Sequence, residues 1–79
     1  MNEKIYSGEI VIKVKGLRMC GDRIDCDTWQ DGSKTYWLWC NDEIVAYFPD
    51  DEFKLIDDDS YNGLKYYKME VIKKWQPDN

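Results

Sequence analysis

The stretch from Thr35 to Phe48 restricts the fold more than any other. Its two arms, Thr35-Tyr36-Trp37-Leu38-Trp39-Cys40 and Glu43-Ile44-Val45-Ala46-Tyr47-Phe48, are rich in aromatic and β-branched residues and meet at Asn41-Asp42, a pair suited to a tight primed turn. Pro49 ends the second arm, because it cannot donate to a ladder. Alternation assigns Trp37, Trp39, Val45 and Tyr47 to one face of this hairpin and Tyr36, Leu38, Cys40, Ile44, Ala46 and Phe48 to the other. Both faces are apolar. A chain of 79 residues forms one domain with a thin core and has little material to cover both, so one face is expected to be an interface with a partner or with a second copy in a homodimer.

The rest of the chain reads the same way. Ile10, Ile12 and Val14 alternate with Val11, Lys13 and Lys15 until Gly16 closes the run. Arg23 to Trp29 places Ile24, Cys26 and Thr28 opposite Asp25, Asp27 and Trp29, and Asp31-Gly32-Ser33 follows as a turn. Asp50 to Asp59 is a polar stretch around Phe53, Leu55 and Ile56, compatible with a short helical turn or an edge strand, and Tyr61-Asn62-Gly63 is a loop. Leu64 to Trp75 fits either a strand, through Tyr67, Met69 and Val71, or a helical stripe, through Leu64, Tyr67, Val71 and Trp75; the β-propensity of Tyr66, Tyr67, Val71 and Ile72 favours strand. The expected fold over residues 1–79 is all-β or mainly β: a small, strongly curved antiparallel sheet, or a partial SH3-like or OB-like barrel, of five to six short strands.

Charge is segregated along this framework. Residues 22 to 59 hold twelve acidic side chains against three basic ones, a net charge of -9, whereas each end of the chain carries +2. Such a field draws a basic partner and repels phosphate. Direct nucleic-acid binding is therefore disfavoured, although Lys13, Lys15, Lys65, Lys68, Lys73 and Lys74 would share a face if the first and last strands paired.

Catalytic and metal chemistry find little support. The chain has no histidine, which removes the commonest general base and a common neutral metal ligand. Cys20, Cys26 and Cys40 are spaced too widely for the usual zinc pairs and read as small buried hydrophobes. The series Asp22, Asp25, Asp27 and Asp31-Gly32 departs from a calcium loop at its third acid and at its glycine, and no closing Glu follows. A non-enzymatic protein without cofactor or metal is expected. An odd number of cysteines and a first segment without the features of a signal peptide point to the cytoplasm, which for a phage-encoded protein is that of the host; no membrane span is expected.

The expected function is binding or inhibition of a larger protein with a basic surface, such as one that normally grips nucleic acid. Asp25, Asp27, Asp50, Asp51 and Glu52 would engage basic residues, while Trp37 and Trp39 anchor the contact. Two alternatives use other residues: a sponge for a small nucleotide signal, built on stacked aromatics with Lys65 and Lys68, and an SH3-like adaptor whose peptide groove is Trp37, Trp39 and Tyr66. In composition alone, the short acidic chain with dense aromatics resembles bacteriophage-encoded inhibitors of host enzymes and defence systems, anti-CRISPR proteins among them. No stretch carries a motif of that group.

Overall fold

The structure is a computed structural model and describes residues 2–72. Six strands follow one another along the chain: β1 (Asn2–Val14), β2 (Leu17–Thr28), β3 (Lys34–Cys40), β4 (Glu43–Pro49), β5 (Phe53–Tyr61) and β6 (Leu64–Val71). They make one sheet in the order β4-β3-β2-β1-β6-β5. Three of the hairpins close through two-residue turns, Lys15-Gly16, Asn41-Asp42 and Asn62-Gly63, in which both residues have positive φ. That conformation matches the right-handed twist of the flanking strands, and Asn, Asp and Gly reach it at least cost. The turn expected at Asn41-Asp42 forms, with φ of 52° and 63°.

The order of the strands dictates a curl. β4 and β5 are the two edges of the sheet, yet only Asp50, Asp51 and Glu52 connect them. Five inter-strand gaps span about 24 Å in a flat sheet, whereas the step from Pro49 to Phe53 reaches no more than about 14 Å. The sheet must bend until its edges approach at that end. Phe48 of β4 and Phe53 of β5 meet there edge to face, with ring centroids 5.4 Å apart. β4 and β5 do not hydrogen-bond to each other as strands, so the sheet remains an open, curled one rather than a closed barrel.

The concave side holds the core. Ile10 and Ile12 of β1, Ile24 of β2, Leu38 of β3, Phe48 of β4, and Tyr67 and Met69 of β6 are buried together, and Tyr6, Tyr36, Phe53 and Leu55 pack around them. Alternating β-branched and aromatic residues supply this face from every strand but the last-added edge, where Phe53 and Leu55 close it. Gly21 lets β2 and β3 close on one another, since a Cβ there would lie 2.5 Å from Leu38 Cδ1 and 2.6 Å from the Trp39 carbonyl oxygen.

Several expectations change. β1 begins at Asn2 rather than near Ile10 and β2 at Leu17 rather than Arg23, so these two strands are long, 13 and 12 residues. Register shifts between Lys4 and Tyr6 and between Ser7 and Ile10 let β1 bend, which is how one strand serves both halves of the curl. The sheet is not wholly antiparallel: β6 runs parallel to β1, from Ile10↔Lys65 to Lys13↔Lys68. The polar stretch after Pro49 is a turn followed by the edge strand β5, and Leu64–Val71 is strand rather than helix, while Lys73, Lys74 and Trp75 lie outside the described residues.

Gly21→Ala is expected to destabilise the fold by about 1–3 kcal/mol, because the clash includes the Trp39 carbonyl, which can yield only if β3 moves; urea denaturation followed by tryptophan fluorescence measures it. Burial raises the Cys26 thiol above its ordinary 9.0 and the Tyr36 and Tyr67 hydroxyls above their ordinary 10.0. The folded chain thus holds these protons more tightly than the unfolded chain. Their contribution to stability is complete below about pH 9 and is lost as pH rises through the folded values. The urea midpoint should fall between about pH 8 and pH 10.5, with the exposed Cys20 labelled by a thiol reagent well before Cys26 at the lower pH.

Candidate protein-binding face

The outer side of β2, β3 and β4 carries a band of aromatic and aliphatic residues. Cross-strand pairing assembles it: Arg23 opposite Trp39, Asp25 opposite Trp37, Asp27 opposite Thr35, then Trp37 opposite Tyr47 and Trp39 opposite Ile44. A register shift between Leu38 and Trp39 inserts one extra residue in β4. It moves Ile44 to the Trp39 side, correcting the inward placement that strict alternation assigns it. Ile44, Val45 and Tyr47 are 48%, 51% and 62% exposed, whereas Leu38 on the other side of the hairpin is fully buried. The two apolar faces are thus resolved: one is core and the other faces solvent.

Within the band, the carboxylates are engaged internally. Asp27 accepts a hydrogen bond from Trp37 Nε1 through Oδ2 at 2.9 Å and one from Asn2 Nδ2 through Oδ1 at 3.1 Å. Asp25 is 5% exposed, set between its cross-strand neighbours Lys4 and Trp37. Arg23 Nε lies 3.2 Å from Asp25 Oδ1 while the guanidinium stacks 4.1 Å above the Trp39 ring. The ion pair sits off the hydrogen-bond axis, so Arg23 Nε and Asp25 Oδ1 are buried without hydrogen-bonding partners, as is Trp39 Nε1. Coulomb attraction and cation–π stacking hold this group in place of directed hydrogen bonds.

The acidic residues that remain exposed collect at the two ends of the band. At one end lie Asp42 and Glu43, with Asp22, whose Oδ2 accepts a hydrogen bond from the Asn41 amide at 3.0 Å. A groove of about 360 Å³ opens beside them, lined by Ser7, Gly8, Asp22, Arg23, Trp39 and Asp42, next to the register shift in β1. At the other end is the β4–β5 turn. Asp50 anchors it to β3, accepting the Lys34 amide through Oδ2 at 2.9 Å and donating its own amide to the Lys34 carbonyl at 3.0 Å, while Asp51 and Glu52 are exposed. Asp31 adjoins this end, its carboxyl held below the usual range by hydrogen bonds from the Ser33 hydroxyl and amide.

The residues expected to bind a partner therefore divide. Trp37 and Trp39 lie side by side on the outer face, and Asp25 and Asp27 share that face but are engaged inside it. Asp50, Asp51 and Glu52 form the acidic turn at one end. Arg23, Ile44, Val45, Tyr47, Asp22 and Asp42 also belong to this surface. Alternation along the hairpin already puts Val45 and Tyr47 with Trp37 and Trp39, whereas pairing brings Arg23 to Trp39 and the inserted residue in β4 brings Ile44.

Among the described residues the lysines divide: Lys13, Lys15 and Lys68 line one groove beside Glu70, and Lys65 lies apart from them. β1 and β6 pair, but Lys65 lies opposite Ile10 on the inner side and Lys68 opposite Lys13 on the outer side. Lys65 Nζ is 2.7 Å from Asp57, Lys13 Nζ 3.7 Å from Asp58 and Lys68 Nζ 3.7 Å from Glu70. Among the described residues, no group of three or more Cys, Asp or Glu side chains is arranged to hold a metal ion, and no helix is long and apolar enough to cross a membrane. No family model, curated protein or solved structure matches the chain.

Arg23→Gln should destabilise the protein by about 1–3 kcal/mol, since it leaves Asp25 buried without its counter-charge, and Asp25→Asn in the same chain should restore part of that loss. A double-mutant cycle in urea measures the coupling; independent, additive effects would show that the pair contributes nothing.

Proposed function

We propose that this chain is a non-enzymatic binding protein that inhibits a larger protein by covering a basic surface on it. The observation that carries this reading is the outer band of β2–β4, apolar at its centre and acidic at both ends. Protein interfaces have that anatomy, a desolvated apolar centre with a charged rim that steers the approach. Trp37, Trp39 and Tyr47 supply large, rigid contact area. Asp42, Glu43, Asp50, Asp51 and Glu52 supply the attraction, while Asp25 and Asp27 serve indirectly by holding Arg23 and Trp37. A target that ordinarily grips nucleic acid suits these exposed carboxylates, and the compositional resemblance to phage-encoded inhibitors, anti-CRISPR proteins among them, extends the proposal to a host or defence enzyme.

The alternatives draw less support from the geometry. A nucleotide sponge needs Lys65 and Lys68 together, and they lie on opposite sides of the sheet beside carboxylates. An adaptor groove of Trp37, Trp39 and Tyr66 would have to bridge β3 and β6, three strand spacings or about 14 Å apart.

The test is capture of partners from bacterial lysate on the tagged protein, with stepwise salt elution and DNA as competitor, repeated with Asp51→Lys/Glu52→Lys and with Trp39→Ala. Displacement by DNA is expected. The charge reversal should weaken binding about tenfold or more at low salt and flatten its salt dependence. Trp39→Ala should weaken binding with the salt dependence intact. Affinity unchanged in both variants would overturn the proposal.

A further inference from the structure

The two edges of the sheet are built differently. β5 is guarded: Lys54, Asp57 and Asp58 stand along it and a register shift between Asp57 and Asp59 interrupts its ladder. Charges standing along an edge keep foreign strands away. β4 has no charged residue between Glu43 and Pro49, its one inserted residue falls at Val45 towards the Glu43 end, and its outer edge pairs with no strand among the described residues. The exposed Ile44, Val45 and Tyr47 lie along that same edge.

We infer that the β4 edge is the docking site itself, and that it takes an extended segment of the partner with an apolar centre and Lys or Arg at both ends, added to the sheet as a seventh strand. The inference rests on the binding-protein reading and specifies how that face engages. Backbone groups of β4 would hydrogen-bond the segment, and Val45 and Tyr47 would pack its outward side chains. Charge selects the occupant. The acidic turns at Asp42-Glu43 and at Asp50-Asp51-Glu52 stand at opposite ends of β4, roughly 20 Å apart, so a strand laid along it in either direction passes an acidic group at each end. A second copy of this chain would bring acid against acid at both ends, whether paired parallel or antiparallel. A segment basic at both ends is complementary in both directions.

The experiment uses the full chain and a fluorescein-labelled nonapeptide, KRVTVTVRK, in anisotropy titrations at low salt. Controls are the same peptide N-methylated at alternate amides along one edge, in both phases of alternation, and a peptide with Asp and Glu at the flanks. The parent peptide is expected to bind with a Kd of about 10–100 µM. At least one N-methylated form, the acid-flanked peptide and the Val45→Lys variant should each bind about tenfold more weakly or worse. Val45 is half exposed, so this variant should fold, and circular dichroism checks it. Equal binding of the parent and both N-methylated peptides, which carry the same charge, would overturn edge pairing alone and leave the binding-protein reading standing. No binding by any peptide would overturn the inference together with that role for the face. A dimer in light scattering that Val45→Lys converts to monomer would overturn it in favour of a second copy.

Discussion

Everything in this fold depends on a connection that is too short for a flat sheet. Asp50, Asp51 and Glu52 join strands that lie at opposite edges of a six-stranded order, and three residues cannot cross that width. Bending the sheet is the one way to satisfy both the chain and the ladder, and the contact between Phe48 and Phe53 seals the bend from inside. A small domain thereby obtains a core from a single layer. The same bend leaves the outer side of β2–β4 uncovered by any other of the described residues, and Trp37, Trp39 and Tyr47 face outward there.

The outer face shows how pairing converts a run of like charges into structure. In β2, Asp25 and Asp27 look like free carboxylates on a solvated strand. Asp25 pairs with Arg23 two residues away in the same strand, and opposite β3 Asp27 takes the Trp37 indole N–H while Arg23 stacks on Trp39, so the two carboxylates help set the positions of two tryptophans. The acidity left exposed on this side lies in the turns and at the strand ends next to them. An apolar centre between two acidic ends thus follows from register, since the exposed carboxylates fall in the turns and at the strand ends beside them.

Much of the fold was legible because hairpin chemistry is local. Asn41-Asp42, Asn62-Gly63 and Gly16 mark turns by their tolerance of positive φ, and Ile10, Ile12, Ile24, Leu38 and Met69 declare their faces by alternation. The site was legible only in part. Trp37 and Trp39 could be named, but Ile44 was placed inward because alternation assumes an unbroken ladder, and one inserted residue in β4 reverses the assignment. Asp25 could not be recognised as buried, nor Lys65 and Lys68 as divided between two sides, because both facts depend on which strand lies alongside and in which direction.

By itself, then, the sequence determined that the chain is all-β, where its tight turns fall, which residues are apolar enough to build a core, and that its acidity lies in the middle. These properties arise from interactions within a few residues of one another. The tertiary structure decided the parallel pairing of β1 with β6, the curl, the face left open and the carboxylates left exposed. Each of these is set by contacts between residues far apart in the chain and by the reach of one short connection, and no local preference records them.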